Sequence, residues 1–249
     1  MECIAHRGSA FRVPENSLAG IKYTAMMDIK QIECDISVAS DDIAVIFHDE
    51  SLRRMTGDPR SVLSVSSEEL GMIPLISPFR SATQYIPKAL DWMQEASRHD
   101  LFVHLEIKVH DQEFQRAVDA ALTAFDGSGL KSDHVRFSSF SLEALKYLSS
   151  IRPELSLGLA ASQYPEIADQ SIEELDLKSM HLQAEFVTRE HLQAVEERGL
   201  TVCLYTVNEL SILGDLPRQA IEAIFTDDPV ALRDAITTLK FCNLTPYTR

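Results

Sequence analysis

Three stretches of the chain carry reactive residue types at spacings that let them act together. "IECDISV" (32–38) places Glu33 and Asp35 two residues apart, "FVHLEIK" (102–108) places His104, Glu106 and Lys108 at the same interval, and His6-Arg7 and His48 each close an apolar run. Side chains two apart on an extended strand share a face. Glu33 and Asp35 therefore stand together, opposite Ile32, Cys34 and Ile36, and Glu106 repeats the arrangement on a strand that reads as their neighbour. Carboxylates crowded on a buried face repel each other and lose hydration, so they need a cation. A divalent metal is the simplest one, and an all-oxygen donor set favours a hard ion, Mg²⁺ or Ca²⁺, over zinc. A solvent-exposed strand face would explain the Glu-x-Asp pair alone, but its repetition at Glu106 argues against that.

Two imidazoles flanking a metal suit general acid and base catalysis, because imidazole titrates near neutral pH. His6 and His48 are the candidates, whereas His99, His110, His134 and His191 read as packed or solvated. Arg7 offers a planar fork and Lys108 a point charge, which together with the metal can hold a phosphodiester. Lys108 can equally serve only to neutralise a ligand carboxylate. Tyr205, in "LYTVN", is a candidate wall of the substrate pocket, with simple packing as its alternative, and Asn208 reads as the cap of the next helix. His181 reads either as pocket wall or as a core hydrogen-bond donor.

Positioning these groups falls to short β-rich runs that alternate with segments of helical period. The runs are 3–5, 31–36, 102–108, 135–138, 155–160, 180–183, 201–206 and 223–226. The clearest helical face is Phe114, Ala117, Val118, Ala121, Leu122 and Phe125. Helix starts are marked by Asn16 or Ser17, by Thr188, and by Asp228 followed by Pro229. Eight β-runs, each followed by a helical pattern, predict a (β/α)8 barrel of 249 residues as a single domain, with a doubly wound open sheet as the alternative. The barrel count requires Ile43–Phe47 to lie outside it. Residues 38 to about 86 are therefore an expected insertion between the second strand and the second helix, rich in Ser and Pro and weak in period. The tail "NLTPYTR" reads as a frayed or docked end, and its Asn243 sequon carries no weight without a signal peptide.

Composition narrows the classes. At 45% hydrophobic and 24% charged residues the chain is globular. Its formal net charge of −15 argues against a nucleic-acid partner and against stable association with an anionic membrane. No apolar run is long enough to span a bilayer and the N-terminus has no signal-peptide pattern, so a cytoplasmic protein is expected. Cys3, Cys34, Cys203 and Cys242 are scattered without CxxC spacing, as thiols in a reducing compartment would be. The composition is compatible with a homo-oligomer.

In chain order, "AHRG", "PENSLAGI", "IECDISV", "FHDESLRRMTG", "IP" before a helix, "LEIK", "FSSF", "LYTVN" and "FTDDP" resemble the glycerophosphodiester phosphodiesterase family, most closely its short cytosolic bacterial members. The resemblance runs from about Ile4 to Pro229. It implies a (β/α)8 barrel with a small insertion after the second strand, and hydrolysis of a small-molecule glycerophosphodiester to glycerol 3-phosphate and an alcohol. Carried over position by position, it implies His6 and His48 as the acid–base pair, with His48 protonating the leaving alcohol. Glu33, Asp35 and Glu106 become ligands of one divalent ion, and Arg7 and Lys108 phosphate contacts. The nucleophile is either water or the substrate's own glycerol 2-hydroxyl. Three departures stand out: "ASDD" (39–42) lacks the family's turn glycine, Tyr205 replaces a common Trp, and "PENS" replaces "PENT".

Two rivals follow from the same residues. A lysophospholipase D-type enzyme needs an apolar entrance, for which Met72, Ile73, Leu75, Ile76 and Phe79 of the insertion are available. A catalytically silent barrel that binds a phosphodiester would not need both histidines and all three acids.

Overall fold

Alternating apolar and polar positions on the β-runs give strands with one face against helices and the other toward a central axis. In the computed structural model, which describes residues 1–79, 82–111, 113–162, 164 and 175–242, these are β1 (Glu2–Ala5), β2 (Gln31–Val38), β4 (Phe102–Ile107), β5 (Val135–Ser139), β6 (Ser156–Ala161), β7 (Leu177–Gln183), β8 (Thr201–Tyr205) and β9 (Ala223–Thr226). All eight are parallel in the order β1-β2-β4-β5-β6-β7-β8-β9, and β9 pairs with β1, which closes the cylinder. This is the expected (β/α)8 TIM barrel, with strand ends within three residues of those read from sequence. The Asn243 sequon lies outside the described residues.

β3 (Ala44–Ile46) stands outside the cylinder, antiparallel to β2 with Ile36 opposite Ile46, as the barrel count demanded. Between it and α4 (Ala89–Arg98) lie two single-turn helices, α2 (Arg53–Thr56) and α3 (Ser67–Leu70). Val45, Phe47, Leu52, Val62, Val65, Leu70, Leu75 and Ile86 pack there as a core of their own. In the turn between β2 and β3, Asp42 takes φ 60, the left-handed position in which the family's glycine was missing. Asp is among the few non-glycine residues that adopt it at modest cost.

Among the described residues the remaining helices are α1 (Leu18–Met26), α5 (Phe114–Ser128), α6 (Leu142–Ile151), α7 (Arg189–Glu196) and α8 (Pro229–Cys242), and the helix expected between β6 and β7 falls on residues outside them. Ile32, Cys34 and Ile36 of β2 and Val103, Leu105 and Ile107 of β4 join α4 and α5 in the main core. The predicted helix after β8 is replaced by 3₁₀ turns at Leu210–Leu213 and Arg218–Ala220, because Gly214 and Pro217 interrupt the segment. Thr188 caps α7 in a reciprocal capping box with His191, and Asp228 Oδ1 accepts from Ala231 N at the start of α8. Ser17 precedes α1 but donates to Pro14 O, and neither it nor Asn16 caps that helix.

Inside the cylinder, His104, His181 and Phe225 form an aromatic floor with ring centroids 5.0–5.9 Å apart. Gly158 on β6 makes room for it: a Cβ there would stand 2.8 Å from His181 Nε2. Among the described residues no helix is long and apolar enough to cross a membrane.

Candidate active site

At the C-terminal ends of the strands, above this floor, lies a cavity of about 350 Å³. His6, Arg7, Glu33, Asp35, His48, Glu106, Lys108 and Tyr205, the eight residues singled out from sequence, all border it. Loops at this end of a TIM barrel are where catalytic groups gather. Met72, Ile73, Leu75, Ile76 and Phe79 do not border it. Leu75 and Ile73 pack into the core of the insertion, and Met72 and Ile76 are exposed.

Register brings the acids together. Asp35 pairs directly with Glu106 across β2 and β4, and Glu33 stands one inward position below. One carboxylate oxygen from each lies within 4.8 Å of the other two. Lys108 extends past the end of β4 to reach Asp35 Oδ1 at 3.1 Å and the Glu106 carboxylate. Burial, reinforced by repulsion from Asp35 and Glu106, pushes Glu33 well above the usual carboxyl range. Burial acts on Asp35 too, but the charges of Lys108 and Arg7 outweigh it and hold that carboxyl low. Three acids thus face two cations, and oxygen is the only donor type in the group. That donor set fits a hard divalent ion.

The chain turns sharply after β1 to deliver Arg7. Arg7 has φ 49 and Gly8 φ 76, and a Cβ on Gly8 would stand 3.0 Å from Gly20 Cα of α1. In this turn Arg7 N donates to Glu33 Oε2 (2.8 Å), and the guanidinium approaches Asp35 Oδ2 (3.3 Å) and Glu15 Oε1 (3.2 Å). Asn16, missed as a site residue, is bound reciprocally to Asp35: its Nδ2 donates to Oδ2 (2.9 Å) and its Oδ1 accepts from Asp35 N (3.2 Å).

Each histidine is tied by Nδ1 to an aspartate. His6 Nδ1 lies 2.7 Å from Asp227 Oδ1, and His48 Nδ1 lies 2.6 Å from Asp49 Oδ1. Asn208, expected as a helix cap, instead donates from Nδ2 to Asp227 Oδ2 (2.7 Å) and accepts from Asp227 N (2.8 Å). Burial pushes Asp227 up, but its hydrogen bonds to His6 and Asn208 hold it below the usual range. Burial pushes His48 down, against the opposing charge of Asp35. The antiparallel return of β3, with Phe47 N donating to Asp35 O (2.9 Å), carries His48 back to the mouth.

His181 borders the cavity and its Nε2 lies 3.0 Å from Ser179 Oγ, so it is both wall and buried hydrogen-bonding group. His99, His110, His134 and His191 do not border it. Glu15, Asn16, Asp49, Asn208 and Asp227 had a sequence signal: each lies in or beside a quoted motif, "PENS", "FHDE", "LYTVN" or "FTDDP".

The profile of the glycerophosphoryl diester phosphodiesterase family matches residues 6–231. A glycerophosphodiester phosphodiesterase of Caldanaerobacter subterraneus subsp. tengcongensis is 24% identical over 231 residues, covering 92% of this chain and 95% of that protein. An Oleispira antarctica phosphodiesterase, solved in complex with the product sn-glycerol-3-phosphate, superposes with a TM-score of 0.86 at 26% identity, over 95% of this chain and 97% of that one. A glycerophosphodiester phosphodiesterase from Thermotoga maritima shares the fold, with a TM-score of 0.75 at 20% identity over 94% and 97% of the two chains. The family resemblance read from the motifs is therefore borne out along almost the whole chain, and this protein belongs to the glycerophosphoryl diester phosphodiesterase family.

Proposed function

We propose that this chain hydrolyses glycerophosphodiesters such as glycerophosphocholine and glycerophosphoethanolamine to glycerol 3-phosphate and the free alcohol. The observation that carries the reading is the meeting of two aspartate-tethered histidines, three crowded carboxylates and two cations on one cavity. Family membership supports the same substrate class. Residues 1–249 act in this reading as one domain, with residues 38–86 as the insertion that brings His48 to the barrel. A cytoplasmic setting fits the buried free thiols of Cys34 and Cys203.

Glu33, Asp35 and Glu106 would hold one Mg²⁺ or Ca²⁺ ion, which when bound would supply positive charge to offset that of the phosphodiester. Arg7 and Lys108 offset the charge that builds on the phosphate oxygens as the phosphorus is attacked. His6 takes the proton of the attacking hydroxyl, and His48 gives a proton to the oxygen of the departing alcohol. With Nδ1 of each ring engaged by an aspartate, Nε2 is the nitrogen left to exchange that proton.

The test is release of glycerol 3-phosphate from the two substrates, first with EDTA and then with each metal restored. Turnover abolished by EDTA and recovered with one ion supports the reading. No turnover with either metal overturns it, and so does full activity retained by folded His48→Ala and Glu33→Ala variants.

A further inference from the structure

We infer that Arg54 is a positioning residue for His48, tying the carboxylate that orients the ring to Glu15 on the rim of the barrel. The inference rests on the catalytic role proposed above for His48. His48 lies beyond β3, on a segment that leaves the β2–β3 ladder at Phe47, so barrel register alone does not fix its ring. Its side-chain hydrogen bond among the described residues is to Asp49.

Arg54 of α2 grips Asp49 and Glu15 together. Nε donates to Asp49 Oδ2 (2.7 Å) and Nη2 to Asp49 Oδ1 (2.9 Å), while Nη2 and Nη1 donate to Glu15 Oε1 (2.7 Å) and Oε2 (2.8 Å). Both carboxylates are thus bound bidentately by one planar group. Two acids this close would repel without it, and an ammonium, as a point charge, cannot engage four oxygens at once. Glu15 also receives Arg7 Nη1 (3.2 Å), and Arg7 approaches Asp35 (3.3 Å), so the chain His48-Asp49-Arg54-Glu15-Arg7-Asp35 crosses from the insertion to the acidic cluster.

The charges answer the geometry. Burial is the largest influence at both acids and pushes them up, but the hydrogen bonds and charge of Arg54, joined by the charge of Arg7 at Glu15 and by His48 at Asp49, together outweigh it, leaving Glu15 below the usual carboxyl range and Asp49 at about 2. Arg54 itself is 45% exposed in its side chain and does not border the cavity. It therefore touches no substrate, and its removal exposes little apolar surface. The effect expected is on the placement of His48 and not on substrate affinity or global folding.

The experiment compares wild type with Arg54→Ala, Arg54→Lys and Arg53→Ala, the last removing a neighbouring exposed arginine outside the clamp. Turnover of glycerophosphocholine is followed with and without guanidinium ion, together with melting temperature and the ¹⁵N shifts of the His48 ring. Expected for both Arg54 variants is a kcat lower by about 10- to 100-fold with KM little changed, a cost typical of a misplaced catalytic group. Guanidinium restores part of kcat to Arg54→Ala alone, Arg53→Ala matches wild type, and the Nδ1–H tautomer of His48 loses its dominance when Arg54 is absent. Wild-type kcat and unchanged ring shifts in Arg54→Ala would overturn the inference. So would a loss of activity that only follows melting temperature, with the ring shifts unchanged. If wild type turns over no glycerophosphodiester, the functional reading falls by itself, and the ring spectra still decide whether Arg54 positions His48.

Discussion

Asp227 fixes the tautomer of His6. The 2.7 Å contact between His6 Nδ1 and Asp227 Oδ1 joins a ring nitrogen to a group that, ionised, can only accept, so Nδ1 carries the proton and Nε2 holds the lone pair. Asn208 keeps the carboxylate in place through its own two hydrogen bonds to Asp227. In the role proposed for it, His6 would have Nε2 as the nitrogen that accepts the proton.

Asp227→Asn therefore does more harm than its size suggests. An amide nitrogen turned toward Nδ1 would donate to it and move the ring proton to Nε2, disabling the base. We expect kcat to fall by about 10²-fold or more, with KM within a few-fold and the fold intact. Steady-state kinetics and circular dichroism check this; a variant with kcat near wild type would show that Asp227 does not set the tautomer.

Glu33 gives a prediction in which stability and activity separate. In the metal-free protein Glu33 is buried beside two other acids, an arrangement that costs free energy. Glu33→Gln removes a like charge while keeping shape and the ability to accept from Arg7 N. The metal-free variant should melt at or above the wild-type temperature. It should also lose most of the rise that saturating Mg²⁺ or Ca²⁺ gives wild type, about 2.7 kcal/mol at 100-fold excess over Kd. Differential scanning calorimetry with and without metal decides it, and an undiminished metal effect would remove Glu33 from the ligand set.

How far the sequence was legible depends on what each residue does. Glu33, Asp35 and Glu106 could be read because a carboxylate on an otherwise apolar strand is anomalous wherever it occurs, and period two says which face it shares. The eight strands were readable for the same reason. Asn16 and Asn208 were misread as helix caps because an Asn before a helical pattern is ordinarily a cap; their carboxylate partners, Asp35 and Asp227, are 19 residues away in each case. Arg54 lies in the quoted motif "FHDESLRRMTG" but carries no role in the sequence reading, because a surface arginine is common and only the approach of two loops makes it a clamp. The helix expected after β8 failed on local grounds, since Gly214 and Pro217 were weighed too lightly against an apolar period. Pairing across the barrel, unlike pattern along a strand, leaves no local trace.

Gly158 illustrates such a pairing and can be tested directly. A methyl group at this position would meet His181 Nε2 and Ser179 Oγ, both at 2.8 Å. For His181 to give way its ring must break its packing on Phe225 and its contact with His104 and shift into the cavity it borders. Gly158→Ala should destabilise the protein by about 1–3 kcal/mol, the usual cost of overpacking. Chemical denaturation would read this from the midpoint at unchanged slope, and a neutral result would mean that the floor of the barrel yields more easily than its packing implies.

The same floor should make the protein acid-sensitive in a window above the range of most carboxylates. Burial pushes His181 down to about 3, and burial together with the charge of a protonated His181 pushes His104 well below its ordinary value. Unfolded, both rings titrate near about 6.5. Between these values the unfolded chain binds more protons than the folded one, so stability rises with pH and is lost as pH falls from about 6.5 toward 3. Each ring contributes a slope of up to about 1.4 kcal/mol per pH unit where only its unfolded form is protonated. Between about pH 5 and 6 few carboxylates have begun to titrate, so the histidine contribution stands apart. His181→Gln, which keeps a polar group for Ser179 but cannot be charged, should flatten the stability profile there by about the share of one ring. Urea denaturation at half-unit pH steps measures the slope, and equal slopes in wild type and variant would show that His181 is not held neutral by its burial.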